Sequence, residues 1–105
     1  MKVFLDDVRN TPEGWVRVYW PDEAIELLKG GDVTHISLDH DLGDDDRGTG
    51  DDVVTWLQKQ VYFYDMKPPV ITVHSDNGPG ILKMRNGIER LYEKYDELQH
   101  ARNKS

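Results

Sequence analysis

Short apolar runs that stop at polar residues alternate along this chain with longer segments of helical periodicity. Three short, largely apolar runs predict strands buried on both faces, as in parallel sheets; they cover residues 3–5, 36–38 and 70–73. Residues 15–20 instead alternate Val16 and Val18 with Arg17 and Tyr19. Such alternation predicts an edge strand with one side in water.

Three segments carry the spacing of amphipathic helices. Pro21 opens the first, and Thr49 with Asp52 fits a capping box that opens the second. The last helix follows a Gly-Pro-Gly break and carries an apolar stripe: Ile81, Met84, Ile88, Leu91, Tyr95 and Leu98. The simplest interpretation is that this stripe lies on the sheet. A homodimer through the C-terminal helix is the alternative.

The order strand, strand, helix, strand, helix, strand, helix predicts an α/β fold with a mainly parallel sheet of about four strands. A chain of 105 residues suffices for one core, so we expect a single domain over residues 1–105. In an open parallel sheet the carboxyl ends of the strands lie along one edge, and ligands bind outside that edge. Residues that directly follow the strands are therefore the functional candidates.

Charge and composition narrow the class of protein. The chain has 13 Lys and Arg against 20 Asp and Glu, a net charge of -7, so it should repel long duplex nucleic acid. It contains no Cys, which removes disulfides, thiolate zinc sites and cysteine nucleophiles. No apolar run approaches the roughly 18 residues of a membrane span, and the N-terminus lacks a signal-peptide pattern. We expect a cytoplasmic protein without a membrane partner.

Acids and imidazoles follow three of the predicted strands, as Asp6-Asp7, Asp39-His40-Asp41 and His74-Ser75. Carboxylates that converge must share a cation or stay partly protonated. Aspartate oxygens suit Mg²⁺, Mn²⁺ or Ca²⁺, whereas the histidines favour Mn²⁺, Zn²⁺ or Fe²⁺. We expect Mg²⁺ or Mn²⁺, bound by Asp6, Asp7, Asp39 and Asp41. The alternative is that these aspartates only cap loops and helix N-termini.

The segment 39–52 holds seven Asp among its fourteen residues and therefore needs a separate interpretation. An EF-hand loop requires Glu at its twelfth position. A loop that started at Asp39 would have Gly50 there, and one that started at Asp44 would have Thr55. The motif is absent, and Asp44-Asp45-Asp46 are interpreted as a solvated loop. The tryptophans are interpreted as packing residues, although Trp15 and Trp20 flank the edge strand and could rim a pocket.

Two acids after the first strand, Asp39 after the third and Ser75 after the fourth resemble the receiver domain of two-component response regulators. The resemblance implies that Asp6, Asp7 and Asp39 bind Mg²⁺, that Asp39 accepts a phosphoryl group and that Ser75 senses it. The chain departs from that family in lacking a helix between the first two strands. It also lacks the fifth strand with its phosphate-binding Lys, and its loop after Asp39 is more acidic.

A divergent receiver-like family, the cyclic-phosphate processing receiver domains, is more similar over nearly the whole chain. The matching motifs are Phe4-Leu5-Asp6-Asp7-Val8-Arg9, Pro12, Gly14-Trp15, Ser37-Leu38-Asp39-His40-Asp41-Leu42-Gly43, Thr49-Gly50-Asp51 and Val73-His74-Ser75. The resemblance implies a small receiver-like (flavodoxin-like) three-layer sandwich. It further implies a metal-dependent phosphoesterase that acts on a cyclic phosphate of an RNA end or of a small nucleotide.

Opening a cyclic phosphate requires charge neutralisation, an activated water and a proton donor. His40 and His74 are the candidate base and acid, and Asp39 is the third candidate catalytic residue. The candidate phosphate contacts are Arg9, Ser75, Thr49 and Gly50. Acid-base catalysis by the two histidines without a metal stays an alternative. Two further alternatives stay open. One is a non-catalytic receiver-like module that binds a nucleotide or a partner, and the other is a true phospho-receiver.

Overall fold

The computed structural model describes residues 1–43 and 46–103. Its elements follow the predicted order: β1 (Lys2–Leu5), β2 (Val16–Val18), α1 (Pro21–Lys29), β3 (His35–Leu38), α2 (Gly50–Tyr64), β4 (Val70–Val73) and α3 (Gly78–Asn103). Strand β2 is shorter than the alternating run because the amides of Tyr19 and Trp20 donate to the Glu23 side chain, both at 3.0 Å. These amides begin α1 instead of extending the strand.

The four strands in the described part of the chain are parallel, in the order β2-β1-β3-β4. Strand β2 lies at an edge of the sheet, as its alternating pattern predicted. Residues 6–15 connect β1 to its parallel neighbour β2 without a helix or a further strand. The carboxyl ends of β1 and β3 are adjacent, and β4 ends beside β3, so the three polar strand ends lie along one edge of the sheet.

The three helices of the described residues lie on the same face of the sheet. Residues from the strands and from every helix form one core: Val3, Leu5, Val18, Ile36 and Leu38 with Ala24, Leu28, Val53, Leu57, Met84, Ile88 and Leu91, among others. Helix α1 contacts α2, and α2 contacts α3, so the helices form a single layer. The receiver-like α/β class is confirmed, but the expected third layer is wrong. The connection between β1 and β2 contains no helix that would cover the second face.

The second face of the sheet carries no helix within the described residues. The pairing register places seven strand residues on it: Lys2, Phe4, Arg17, His35, Ser37, Val70 and Thr72. Phe4 is nevertheless only 7% exposed, since Trp15 packs edge-on at 6.3 Å and the His74 ring stacks on it at 4.2 Å. We call these seven residues, together with Trp15 and His74, the open face.

The apolar stripe of α3 packs inward. Met84, Ile88 and Leu91 belong to the core that strands and helices share, and Tyr95 packs against it. The stripe is therefore buried, as the simpler interpretation expected, although α3 packs more on α2 than on the sheet. The homodimer stays a prediction. Within the described residues, none of the helices combines the length and the apolar character that crossing a membrane requires.

Within the acidic segment 39–52, Asp44 and Asp45 lie outside the described residues, and so does their interpretation as solvated loop. Arg47 donates two hydrogen bonds to the Asp22 carboxylate of α1, both at 3.2 Å. Its guanidinium also lies 4.5 Å from the Trp20 ring centroid. These contacts hold the segment just before α2 against the start of α1.

Candidate functional site

Three aspartates meet where β1 and β3 end. Asp6, Asp7 and Asp39 each offer one carboxylate oxygen, and these oxygens lie within 4.8 Å of one another. Asp6 is fully buried and Asp39 is 8% exposed. The parallel sheet therefore brings together three of the four candidate metal ligands.

Asp6 is a fixed negative charge. Its Oδ1 accepts the backbone amides of Val8 at 2.8 Å and Arg9 at 3.0 Å, and its Oδ2 lies 2.9 Å from His74 Nε2. Burial raises the pKa of Asp6, but the donors from Arg9, Val8 and His74 outweigh burial and leave that pKa below its usual value. The loop after β1 is thus folded around an ionised carboxylate.

The pKa of Asp39 is shifted in the opposite direction. Burial raises it, the negative charge of Asp6 raises it further, and a hydrogen bond from Ser75 offsets only part of the increase. The neighbouring carboxylates of Asp6 and Asp39 have pKa values shifted in opposite directions. When both are ionised they repel each other, and a cation would relieve this repulsion. Three hard oxygen donors are compatible with Mg²⁺ or Mn²⁺.

Asp41 lies outside this group, although the sequence indicated it as a metal ligand. Its Oδ1 lies 2.9 Å from His40 Nδ1, and both of its carboxylate oxygens accept from Asn77 Nδ2 at 3.2 Å. The hydrogen bonds from His40 and Asn77 hold the pKa of Asp41 below its usual value. Asp41 is therefore placed to orient His40.

The His40 ring packs closely against the start of α3. A Cβ at Gly80 would lie 2.6 Å from His40 Cγ, so only glycine leaves room for the ring there. Asn77 caps the same helix end, since its Oδ1 accepts the Gly80 amide at 2.9 Å. Sequence reasoning identified this stretch only as a chain break, and the contacts of Asn77 and Gly80 with His40 have no sequence signal.

His74 lies on the open face with both ring nitrogens engaged. Nε2 contacts Asp6 Oδ2 at 2.9 Å, and Nδ1 contacts Ser37 Oγ at 2.5 Å. Since an ionised carboxylate can only accept, we assign the proton to Nε2, and Nδ1 then accepts from the Ser37 hydroxyl. Burial lowers the pKa of His74 despite the opposing effect of Asp6. A neutral His74 that orients Asp6 fits this geometry.

Arg9 and Ser75 lie at the same edge of the sheet. Arg9 Nη1 donates to the His74 carbonyl oxygen at 2.9 Å, and Nη2 pairs with Asp76 at 2.9 Å. The Asp76 side chain is 99% exposed. A phosphate could therefore replace it as the partner of Arg9 without leaving a buried, unpaired carboxylate. Ser75 hydrogen-bonds Asp39 and accepts the amide of Asn77 at 3.1 Å. These contacts tie together the loops after β1, β3 and β4.

Thr49 and Gly50 make local structural contacts at the start of α2. The Gly50 amide donates to the His40 carbonyl oxygen at 3.2 Å, and a Cβ at Gly50 would lie 1.9 Å from the Asp39 carbonyl oxygen. The Thr49 amide donates to Asp52 Oδ2 at 2.9 Å, which is the Asp52 half of the predicted capping box. Gly50 thus lets α2 begin directly beside the Asp39 backbone. Phosphate contacts from these two residues stay a prediction.

Comparison with known proteins places these observations in a family. A family model described as "Cyclic-phosphate processing Receiver domain" matches residues 1–90, a segment that contains all four strands and every candidate site residue. Comparisons with curated proteins and with solved structures gave no match. Because the matched segment covers most of the 105 residues, the chain belongs to the cyclic-phosphate processing receiver domain family.

Proposed function

We propose that this protein is a metal-dependent phosphoesterase that opens a cyclic phosphate at an RNA end or on a small nucleotide. The observation that carries the proposal is the meeting of Asp6, Asp7 and Asp39 at one sheet edge. His40, which directly follows Asp39, adds an imidazole oriented by Asp41 at that edge.

Hydrolysis of a cyclic phosphodiester forms one P–O bond to water and breaks the P–O bond to a ribose oxygen. A proton leaves the attacking water, and the departing oxygen takes up a proton from bulk water. Asp6, Asp7 and Asp39 are the residues that would hold a divalent cation. When bound, such a cation supplies positive charge for the phosphoryl oxygens and lowers the pKa of water.

His40 is the proton-transfer residue in this proposal. Asp41 and Asn77 contact Nδ1, and no residue in the described part of the chain bonds to Nε2. Because the Asp41 carboxylate accepts from Nδ1–H, Nε2 is left as the unprotonated nitrogen that can take a proton from water. The carboxylate also fixes the orientation of the ring.

His74 has a different part in the proposal. A proton transfer by His74 would require it to release either Asp6 or Ser37, because both ring nitrogens are engaged. We assign it instead to the positioning of Asp6. Arg9 supplies the positive charge for a non-bridging phosphate oxygen in exchange for Asp76, and guanidinium–phosphate contacts of this kind are strong and directional.

The test is hydrolysis of a nucleoside cyclic monophosphate by the purified protein with Mn²⁺ or Mg²⁺. Asp39→Asn and His40→Ala should each lose activity by about 100-fold or more while the protein stays folded. Matched controls on exposed positions of α3, Asp96→Asn and His100→Ala, should keep the wild-type rate. Full activity in EDTA contradicts the metal dependence, and wild-type rates for both site variants contradict the site.

The same preparation separates the two competing functions. Tight binding of the cyclic nucleotide with complete recovery of unchanged ligand would favour a receiver-like binding module. A mass increase of one phosphoryl group on Asp39 after incubation with an acyl phosphate would favour a true phospho-receiver. Conversion of the cyclic phosphate to a phosphomonoester is the result that our proposal requires.

A further inference from the structure

The charged residues of the four strands are all basic or imidazole side chains, and they share one face. The strands contain Lys2, Arg17 and His35 but none of the 20 acidic residues of the chain. The pairing of Lys2 with His35 and of Phe4 with Arg17 places all three on the open face. A protein with a net charge of -7 therefore presents a sheet face whose own charges are positive.

Within residues 1–43 and 46–103, neither Lys2 nor Arg17 forms an ion pair, whereas Arg9 pairs with Asp76 and Arg47 with Asp22. Arg17 Nε donates to Thr11 Oγ1 at 2.7 Å, and Nη1 donates to the Asp6 carbonyl oxygen at 3.3 Å. Both acceptors are uncharged, so the guanidinium is held in place with its charge available to an anionic ligand.

Aromatic rings lie between these cations. Trp15 packs edge-on against Phe4 at 6.3 Å and against His35 at 6.4 Å, and the Lys2 ammonium lies 5.8 Å from its ring centroid. Tyr19 is 48% exposed, with the Arg17 guanidinium 5.2 Å from its ring centroid. Cations that bind phosphates, interleaved with rings that stack on bases, are the combination by which proteins hold single-stranded nucleic acid.

The open face is continuous with the candidate site. The His74 ring stacks on Phe4 at 4.2 Å and contacts Asp6 Oδ2 at 2.9 Å, and Arg17 contacts the Asp6 backbone. At the opposite end of the sheet, a groove of about 450 Å³ is lined in part by His35, Lys67 and Val70. A ligand that lay along this face would reach the aspartate cluster at one end.

We propose that the open face binds the single-stranded RNA nucleotides that precede a terminal cyclic phosphate, so that the substrate is an oligonucleotide end and not a free mononucleotide. The identity of the terminal group rests on the proposed function, but binding by the face can be measured separately. A four-stranded sheet with accessible rings holds about two or three bases. Unpaired nucleotides suit this face because their bases are free to stack, whereas the acidic remainder of the protein repels a long duplex.

The first test measures binding without turnover. A labelled RNA trinucleotide with a 3′-phosphate is titrated in EDTA at several salt concentrations, followed by fluorescence anisotropy. Lys2→Glu and Arg17→Ala should weaken binding by about tenfold and lower the salt dependence by about 0.7 per lost phosphate contact. The matched controls are Lys59→Glu and Arg90→Ala, at exposed positions on α2 and α3. They should bind as the wild type does.

The second test compares turnover of two substrates. The wild type should show a kcat/KM at least about tenfold higher for a trinucleotide with a terminal cyclic phosphate than for the mononucleotide, since added phosphate and base contacts raise affinity. Lys2→Glu should remove this preference and leave the mononucleotide rate unchanged. Lys2 is the decisive position because it lies at the amino end of β1, and the aspartate cluster lies at the carboxyl end. Arg17 donates to the Asp6 carbonyl oxygen, so its substitution would also disturb the site.

The outcomes separate this inference from the proposed function. Lys2-dependent RNA binding without any hydrolysis supports the RNA surface and contradicts the phosphoesterase. Hydrolysis of the mononucleotide without Lys2-dependent RNA binding overturns the inference and supports the phosphoesterase. An acidic peptide that binds this face more tightly than the RNA, or a dimer that Lys2→Glu dissociates, also overturns the inference.

Discussion

Replacing Asp39 with asparagine should change the thermal stability of this protein in opposite directions with and without a divalent cation. In the cation-free protein, the Asp39 carboxylate is buried beside Asp6, and its pKa is raised by burial and by that charge. Asparagine has nearly the same shape, removes the negative charge and keeps an oxygen that accepts from Ser75. The substitution therefore relieves repulsion at little cost in packing.

The magnitude follows from the separation of the two carboxylates. Their ligand oxygens lie within 4.8 Å of each other, and two unit charges at that distance repel by about 3 kcal/mol at an effective dielectric constant of about 20. The Ser75 hydroxyl and the donors around Asp6 offset much of this. We expect a net gain of about 1 kcal/mol in the free energy of unfolding at neutral pH, or about 4–8 °C in Tm for a domain of this size.

The gain should depend on pH with a defined sign. The folded-state pKa of Asp39 lies above its usual value, so ionisation of Asp39 costs stability as pH rises through that folded pKa. Below the ordinary Asp pKa of about 3.9 the residue is protonated in both folded and unfolded protein. The difference in Tm between Asp39→Asn and the wild type should therefore be present at pH 7 and disappear in acid.

Thermal unfolding with EDTA and with excess Mg²⁺ or Mn²⁺ measures both effects. A cation at about 100 times its Kd should stabilise the wild type by about 2.7 kcal/mol and should stabilise Asp39→Asn far less, because a ligand is lost. Asp96→Asn, on the exposed side of α3, is the control and should leave both values unchanged. If Asp39→Asn has a lower Tm than the wild type in EDTA, the argument from repulsion is wrong. If the cation raises the Tm of Asp39→Asn as much as that of the wild type, Asp39 is not a ligand.

Three further substitutions test other parts of the account. Gly50→Ala should lower the free energy of unfolding by about 3 kcal/mol in a urea titration, because its Cβ would lie 1.9 Å from the Asp39 carbonyl oxygen. Gly78→Ala, whose Cβ meets no atom within 4 Å, should change it little, and equal effects would contradict the close approach. Asp41→Asn should lower kcat by about 100-fold and alter its pH profile with little change in KM, since it loses the group that orients His40; an unchanged kcat contradicts the pairing. Tyr92→Phe should cost about 1–2 kcal/mol in the same titration, because the Tyr92 hydroxyl donates to the Pro69 carbonyl oxygen and accepts the Ile71 amide, and it should leave the activity unchanged.

The arrangement of the sheet could be predicted because its signal is local. Apolar runs that stop at Asp6 and Asp39 indicate buried parallel strands with carboxyl ends at one edge, and the structure brings these residues together. The number of layers in the fold could not be predicted from this local sequence pattern. The run 3–5 looks buried on both faces, but Phe4 is covered by Trp15 and His74 from a loop and a strand end, not by a helix. Resemblance to three-layer receivers gave the wrong expectation here.

The side-chain contacts of the site are harder to predict than its location. Ser37 sits inside an apolar run and bonds His74 across two strands, a contact that depends on the pairing register. Asn77, just before α3, donates to Asp41, which lies outside the cluster of Asp6, Asp7 and Asp39. Such contacts depend on loop conformation, for which the sequence pattern carries no periodic signal.

A ³¹P NMR time course of a cyclic-phosphate RNA end with the purified protein and Mg²⁺ shows whether the protein opens the phosphate ring. We predict that the cyclic-phosphate resonance is replaced by that of a phosphomonoester, and that EDTA or Asp39→Asn prevents the change. An unchanged spectrum at stoichiometric protein, or equal conversion in EDTA, would contradict a metal-dependent phosphoesterase.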